Sequence, residues 1–382
     1  MIECSKYKLS ECCLSISDGD HLPPPKVDAG IPFITISDID SSNRLNLDVK
    51  QFVPEEYYNN LKDIRKAQRN DILYSVVGSF GIPVIIKGND KFAFQRHIAI
   101  LRPDSTKVIP DYLFYIMKSY DFYMQADSVA IGAAQRTISL TALRNMTVEL
   151  PSMDVQKKIA TTLSRYDSLI DNYQKQIKLL EEAAQRLYKE WFVNLRFPGH
   201  ENTKIVDGVP EGWEKKKLGS IAPILTGKKD ANYGTPDGNY PFFTCSQEPI
   251  KAPSYSFDAE AVLLAGNGDF NVKLYRGKFE AYQRTYVLIP SNADLLYVLY
   301  NSVAKNMVKL ANGASGSTIK FLTKRMIENI DVLVPTNTIL NEYNSLRRKI
   351  QQDLENIKSQ LRLLTESRDR LLPKLLSGEI EV

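Results

Sequence analysis

Histidine and cysteine are scarce in this sequence, which contains 3 histidines and 4 cysteines among 382 residues. No cysteines form a C-x-x-C pair and three of the four crowd one end of the chain, so neither a zinc site nor a disulfide framework is indicated. The histidines lie in separate contexts. We therefore predict no metal site and interpret these cysteines as reduced structural residues: Cys4, Cys12, Cys13 and Cys245.

Long apolar runs are also missing, since none approaches the roughly 20 residues that a membrane helix needs. The first residues, MIECSKYKLS, lack a basic region followed by an apolar core. We therefore predict a cytoplasmic protein without membrane contact. The net charge is only +4, so a DNA-binding surface would have to come from local clustering of cations.

Sequence motifs of catalysis are missing as well. The chain has no G-x-G-x-x-G, no phosphate-loop lysine motif and no H-E-x-x-H, and it lacks the Asn/Asp-Pro-Pro-aromatic stretch of amino-methyltransferases. We predict that it is not an enzyme and that it carries no catalytic residue and no cofactor of its own.

A duplication dominates what is present. The phrase KLLEEAAQRL at 178–187 returns as RLLTESRDRL at 362–371, 184 positions later. Upstream of each phrase lies a stretch that runs from Gly-Ala through Thr-Ile to a proline, and Pro151 and Pro335 are again 184 residues apart. Such self-similarity indicates two tandem copies of one structural plan.

The similarity extends further upstream, because residues 77–103 resemble residues 266–290. In that comparison the dipeptide Gln95-Arg96 matches Gln283-Arg284. Short β-leaning stretches between turn signals precede a helical pattern in each copy, at 110–123 and 294–308. We therefore predict an α+β fold with a globular segment and a long helix in each copy.

Each long helix carries a heptad seam. After each proline, apolar residues recur in alternating steps of four and three, which is typical of a coiled coil. Arg368 interrupts the second seam where Ala184 continues the first, and we expect its stem to pack at the seam edge with its head in water. The seam residues are Tyr166, Ile170, Tyr173, Ile177, Leu180, Leu187, Trp191, Ile350, Leu354, Ile357, Leu361, Leu364, Leu371 and Leu375.

Two helices of equal length with narrow apolar stripes most simply bury those stripes against each other, as an antiparallel coiled coil within one chain with pseudo-two-fold symmetry. Pairing of each helix with another molecule is the alternative. The predicted organisation is a globular domain at 1–150, a helix at 151–197, a second globular domain at 198–335 that begins with a connection at 198–213, and a helix at 336–382.

Polar loops supply the candidates for nucleic-acid contact, because lysines bind phosphates and amide or guanidinium groups can read base edges. One loop spans 225–235 and its counterpart spans 16–26. The repeated Gln-Arg dipeptides are also candidates, although strand-end residues that hold the fold are an equal alternative. The candidate residues are Asp20, His21, Lys26, Gln95, Arg96, Lys228, Lys229, Asn232, Tyr233, Gln283 and Arg284.

The duplicated plan, the PEGW…KL entry to the second copy and the ending RDRLLPKLLSGEIEV together resemble the specificity subunit of Type I restriction-modification systems. That resemblance covers nearly the whole chain. It implies two target-recognition domains that each bind half of a split double-stranded DNA site, and two helices that space them. It also implies two modification (methyltransferase) subunits and restriction (translocase and nuclease) subunits as partners, with S-adenosylmethionine and ATP bound by those partners.

Two alternatives stay open at this point. One is the specificity chain of a related system whose partner fuses methylase and nuclease. The other is a coiled-coil scaffold that binds proteins and not DNA.

Overall fold

The structure, a computed structural model, describes residues 3–19, 24–40, 42–133, 135–316 and 320–381. The chain divides into two compact units. Unit 1 comprises Met1–Gln174 and Gln360–Val382, and unit 2 comprises Lys175–Ser359. Each unit therefore contains one globular part and a segment of both long helices.

Within its described residues, unit 1 contains nine strands, five complete helices, the start of one long helix, and residues 360–376 at the end of the other long helix. Its strands are β1 (Ser5–Lys8), β2 (Cys13–Asp18), β3 (Ile31–Ile34), β4 (Phe52–Val53), β5 (Ile72–Ser75), β6 (Pro83–Ile85), β7 (Ala93–Phe94), β8 (Ile98–Pro103) and β9 (Thr147–Leu150). Its helices are α1 (Leu9–Cys12), α2 (Glu55–Asn60), α3 (Pro110–Lys118), α4 (Tyr120–Val129), α5 (Leu140–Asn145) and the start of α6 (Met153–Tyr188), with 3-10 turns at Ile36–Asp38 and Asp63–Arg65.

Three small sheets form in unit 1, with strand orders β2-β8-β5-β6, β4-β3-β7 and β1-β9. One face of the first sheet packs under α3 in an apolar cluster that includes Ile72, Leu101 and Leu113. Because β5 and β8 are buried on both faces, they read as continuous apolar runs and not as alternating patterns.

The helical pattern predicted at 110–123 is divided between two helices in the structure. Ser119 ends α3 with an extended backbone (ψ 153°) and begins α4, where its Oγ accepts a hydrogen bond from the Phe122 amide at 3.2 Å. Serine is a preferred N-cap because its hydroxyl satisfies a first-turn amide. The predicted helical spacing is confirmed, and the division into two helices at this residue was not predicted, since apolar periodicity does not report a local cap.

Unit 2 repeats the order of elements. Its strands are β10 (Ile205–Val206), β11 (Val209–Pro210), β12 (Glu214–Lys217), β13 (Ile224–Thr226), β14 (Tyr240–Phe243), β15 (Ile250–Ala252), β16 (Phe257–Ala265), β17 (Val272–Ala281), β18 (Thr285–Leu288) and β19 (Asp331–Val334). Its helices are the end of α6, then α7 (Leu218–Ile221), α8 (Leu296–Asn312), α9 (Lys324–Glu328) and most of α10 (Asn337–Leu376), with 3-10 turns at His200–Asn202, Ala231–Tyr233 and Ala293–Leu295.

One long strand makes the sheets of unit 2 differ from those of unit 1. Strand β17 pairs antiparallel with β16 and parallel with β14, so the strands join into one sheet of order β13-β18-β16-β17-β14-β15. In unit 1 the segment 86–92, which contains Gly88-Asn89-Asp90, separates β6 from β7, and the corresponding strands form two sheets. The α+β class predicted from the sequence is confirmed.

The two long helices run antiparallel in each unit. In unit 1, Asp167 of α6 contacts Arg368 of α10, whereas the earlier Leu163 shares an apolar cluster with the later Leu372. In unit 2, Glu181 bonds to Lys358 at 2.9 Å, and the ring of Trp191 lies 5.8 Å from that of Tyr343.

The predicted seam residues are all buried or half-buried. Unit 1 contains Tyr166, Ile170, Tyr173, Leu361, Leu364, Leu371 and Leu375, and unit 2 contains Ile177, Leu180, Leu187, Trp191, Ile350, Leu354 and Ile357. Trp191 lies in a π-helical turn, Lys189–Val193, that follows α6.

Arg368 does not hold its guanidinium in water, so that expectation is wrong. Its side chain is only 13% exposed, and its Nη1 donates to Asp167 Oδ1 at 2.7 Å. Asp167 is held from its other side by the Tyr115 hydroxyl, which donates to Oδ2 at 2.7 Å. The pair with Asp167 helps to raise the pKa of Arg368 against the opposing effect of burial. A polar cluster therefore replaces apolar packing at this seam position.

We expect Arg368→Ala to lower the free energy of unfolding by about 1–3 kcal/mol, because it leaves the half-buried Asp167 carboxylate without its cationic donor. Urea unfolding measures the change. Arg362→Ala is the matched control on the same helix, since its pair with Glu366 is largely exposed and is expected to contribute under about 0.5 kcal/mol. Equal effects of the two substitutions would contradict this account.

The predicted connection at 198–213 contains structure of its own. Strands β10 and β11 form a hairpin there, and Phe197 and Trp213 bring its two ends together with ring centroids 4.7 Å apart. Trp213 also lies 5.4 Å from Phe192. Aromatic packing therefore anchors this segment to the core of unit 2.

Candidate nucleic-acid interface

Loops of unit 2 converge beside the start of β18. The Gly227 amide donates to the Thr285 carbonyl at 3.2 Å, and the Gln283 amide donates to the Lys229 carbonyl at 2.9 Å. A Cβ atom at position 227 would lie 1.8 Å from the carbonyl oxygen of Ala281, so only glycine allows this approach. The loop after β13 is thus attached to the turn between β17 and β18.

The basic loop of unit 2 divides into engaged and exposed side chains. The Lys229 ammonium lies 4.3 Å from the centroid of the Tyr233 ring, and the Tyr233 hydroxyl hydrogen-bonds to Ser254 Oγ at 2.9 Å. Lys228 and Asn232 are exposed. Of the four candidates predicted here, two build the loop and two face solvent, where they can meet a phosphate or a base edge.

The turn at 282–284 is the second part of this surface. The Gln283 side-chain amide donates to Asp230 Oδ1 at 2.7 Å. The Arg284 carbonyl accepts a hydrogen bond from the Gly266 amide at 2.8 Å, while its side chain is exposed. The basic loop and the Gln-Arg dipeptide, which are separate predictions from the sequence, lie together in unit 2.

Arg284 and Gln283 line a groove of about 500 Å³ with residues that sequence reasoning missed. The Tyr286 hydroxyl donates to the Leu322 carbonyl at 2.8 Å and forms part of its wall. Burial raises the pKa of Tyr286, so this hydroxyl stays protonated. The other lining residues are Thr226, Gly266, Phe321, Leu322, Thr323 and Lys324. Their positions span almost 100 residues, and no local pattern relates them.

Lys273 is another residue that the sequence did not single out. Its ammonium donates to the Ser246 carbonyl at 2.7 Å, and Asn271 Nδ2 donates to the Cys245 carbonyl at 3.0 Å. Burial lowers the pKa of Lys273. These bonds attach the loop after β14 to the residues at which β17 begins.

Unit 1 builds the corresponding surface with different side chains. The Gly19 amide donates to the Ile98 carbonyl at 3.4 Å, and a Cβ atom at position 19 would lie 2.2 Å from the carbonyl oxygen of Phe94. Arg96 and Lys26 are exposed, and Gln95 is half-buried. The candidates Asp20 and His21 lie outside the described residues.

The two Gln-Arg dipeptides do not occupy equivalent positions. The Gln95 amide donates to Ile34 across the β3–β7 pairing, and the residue that makes the equivalent bond in unit 2 is Tyr282, whose amide donates to Phe243. Gln283 therefore corresponds to Arg96, and the sequence match is wrong by one residue. The recurrence of Gln-Arg in both copies favoured a structural role for both dipeptides. That recurrence does not reflect equivalent positions in the fold.

Arg284 consequently corresponds to His97. The His97 carbonyl accepts from the Val76 amide at 2.9 Å, as the Arg284 carbonyl accepts from Gly266. The two units present different side chains at each position of this turn.

The structure also bears on chemistry and on membranes. Among the described residues, no group of three or more His, Cys, Asp or Glu side chains is placed to hold a metal ion. Burial raises the pKa of Cys12 to about 11 and of Cys13 to about 12, so these thiols stay protonated at neutral pH. No helix in the described part of the chain combines the length and apolar character that crossing a membrane requires.

Comparison with known proteins finds one family. The model of the Type I restriction modification DNA specificity domain matches residues 13–182 and 210–364. The chain is 36% identical over 178 residues to the Type I restriction enzyme EcoDI specificity subunit of Escherichia coli, and this alignment covers 45% of this chain and 39% of that subunit. It is 26% identical over 306 residues to the MjaIX specificity subunit of Methanocaldococcus jannaschii, and this alignment covers 72% of this chain and 70% of that subunit.

The fold is similar to a solved structure. The crystal structure of the S subunit of a Type I restriction-modification system from M. genitalium superposes with a TM-score of 0.65, covering 98% of this chain and 96% of that one. The sequence identity is 17%, so this likeness concerns the fold alone.

Proposed function

This chain belongs to the Type I restriction-modification DNA specificity family, and from that membership we propose that its two units each read one half of a bipartite DNA target. Recognition of the DNA target is the function of this family. The observation that supports assigning one half-site to each unit is the repeated loop surface, which has the same main-chain bonds in both units and different exposed side chains.

The exposed side chains suit the two kinds of DNA contact. Lys26 in unit 1 and Lys228 in unit 2 carry exposed ammonium groups that can bind phosphates without regard to sequence. The turns that carry Arg96 and Arg284 supply forked donors, which can read base edges. In this proposal the phosphate contacts position each unit and the turns supply the sequence preference.

The proposal extends to partners that bring the chemistry. The chain itself is non-catalytic, and it directs two modification subunits and the restriction subunits of the complex to the DNA target. Those partners bind S-adenosylmethionine for methyl transfer and ATP for translocation. The apolar seam of the paired helix segments is turned inward, and the exposed positions, which are mostly polar but include Leu179 and Leu363, are available for these partners to bind.

Methylome sequencing of cells with and without this chain tests the function. We expect one bipartite methylated motif to disappear when the chain is absent and to return when it is restored. The control is a second methylated motif that a different enzyme of the same cells produces, which should not change. Identical methylation in both cells would contradict the proposal.

We expect Lys228→Ala to weaken binding of the assembled complex to duplex DNA about equally for all sequences and to reduce the slope of log affinity against log salt by about 1. The physical reason is the loss of one phosphate contact and of the counterion that it releases. Titrations at several salt concentrations measure the slope. Lys215→Ala is the matched control, because the Lys215 ammonium is already paired with Asp331 at 3.1 Å. A slope that stays the same for Lys228→Ala would remove this lysine from the interface.

A further inference from the structure

The turn at 282–284 is held rigidly by its main chain. The amide of Tyr282 donates to Phe243 at 3.0 Å, the amide of Gln283 donates to Lys229 at 2.9 Å, and the carbonyl of Arg284 accepts from Gly266 at 2.8 Å. The buried Thr285 hydroxyl donates to the Phe243 carbonyl at 3.1 Å immediately after the turn. Every residue of the turn is therefore fixed to a neighbouring strand or loop, and its side chains project from a defined base.

The two polar side chains of this turn differ in whether their hydrogen-bond donors are already engaged. The Gln283 amide is engaged by Asp230. The Arg284 guanidinium is exposed, lines the groove, and makes no hydrogen bond or ion pair with any side chain or carbonyl in the described ranges. Lys324, the other cation of the groove, lies 3.8 Å from Glu328. Arg284 is therefore the groove cation whose donors are all available.

We propose that Arg284 determines specificity in unit 2 by reading the major-groove edge of one guanine. The inference rests on the proposed function and deepens it. A guanidinium presents two parallel N–H donors that match the O6 and N7 acceptors of guanine, and no other base presents that pair of acceptors. Because Arg284 has no ion pair to break, binding the base does not first require the loss of an internal contact.

Unit 1 uses different chemistry at the same place. His97 occupies the position of Arg284, as the shared main-chain bonds to Val76 and Gly266 show. An imidazole lacks the two parallel donors of a guanidinium, so it cannot make the same contact with guanine. The inference therefore assigns the guanine contact to one half of the target only, and a substitution at Arg284 should affect that half alone.

The test compares methylomes of cells in which the complex carries the wild-type chain, Arg284→Ala or Arg284→Lys. With Arg284→Ala, we expect one G·C position in one half of the motif to accept other base pairs, with discrimination at that position falling by roughly 5- to 150-fold. With Arg284→Lys we expect a smaller loss at the same position, because an ammonium can reach the same acceptors without the fixed fork. The other half should remain intact. Arg284→Lys should also leave the slope of log affinity against log salt unchanged, because it keeps the positive charge and loses only the paired donors of the guanidinium.

Arg276→Ala is the matched control, because its exposed guanidinium is already paired with Glu260 at 2.6 Å in the same unit. It should leave the motif unchanged. A wild-type motif that persists in both Arg284 variants would overturn the inference, as would equal relaxation by Arg276→Ala. If Arg284→Ala abolishes methylation, the lysine variant decides, because full discrimination by lysine would overturn the inference that the guanidinium fork reads the guanine. Absence of any motif with the wild-type chain would instead refute the proposed function.

Discussion

Arg102→Ala is expected to lower the free energy of unfolding of unit 1 by about 3–5 kcal/mol. Arg102 Nε and Nη2 lie 3.0 and 2.9 Å from the two carboxylate oxygens of Asp71, whose side chain is 2% exposed. The substitution leaves a buried carboxylate with no cation, and burial of an uncompensated charge is strongly unfavourable. Urea unfolding, followed by circular dichroism, measures the loss.

Two further variants separate the buried charge from the loss of packing. Asp71→Asn in the Arg102→Ala background removes the uncompensated charge and should recover part of the stability. Lys91→Ala is the control in the same unit, because its pair with Glu55 is more than half exposed and is expected to contribute no more than about 1 kcal/mol. An Arg102→Ala protein as stable as the Lys91→Ala protein would refute the role of the buried pair.

Gly227→Ala is expected to lower the free energy of unfolding by about 1–3 kcal/mol and to weaken recognition of only that half of the DNA target that we propose unit 2 reads. Its Cβ atom would lie 1.8 Å from the carbonyl oxygen of Ala281, and a backbone atom cannot yield as a flexible side chain can. The basic loop must therefore move away from the turn that carries Arg284. Thermal unfolding measures the cost, and the methylome measures the effect on the motif.

Gly19→Ala should produce the reciprocal result in unit 1, since its Cβ atom would lie 2.2 Å from the Phe94 carbonyl oxygen. Gly313→Ala is the control, because its nearest contact would be an ordinary 3.4 Å. The account fails if Gly227→Ala and Gly19→Ala relax the same half of the motif, or if Gly313→Ala is equally harmful.

The sequence allowed much of the fold to be predicted because the signals are local and repeated. The heptad spacing predicted α6 and α10, and the resemblance to Type I specificity subunits is confirmed by the family model. The candidate surface was predictable only in fragments. Lys228 and Arg284 are each suggestive as residue types, but nothing in the sequence between them indicates that the Lys229 carbonyl meets the Gln283 amide.

Strand register explains why the sequence comparison aligned the wrong residues of the two turns. The letters Gln-Arg invite alignment of 95–96 with 283–284, whereas the hydrogen bonds to β3 and β14 pair Gln95 with Tyr282. A shift of one residue exchanges the side chains presented at every position of the turn, and no residue-by-residue similarity detects it. Arg368 is a second case, because its partner Asp167 lies 201 residues away.

The sequence by itself determined the duplicated α+β plan, the two heptad seams and the family, because these depend on periodicity and on residues near one another in the chain. Only the tertiary structure decided which side chains stand together at the candidate DNA-binding surface and which of them are exposed. Those choices depend on strand pairing and on the close approach of Gly227 to β17, which arise from contacts between distant segments and leave no local pattern.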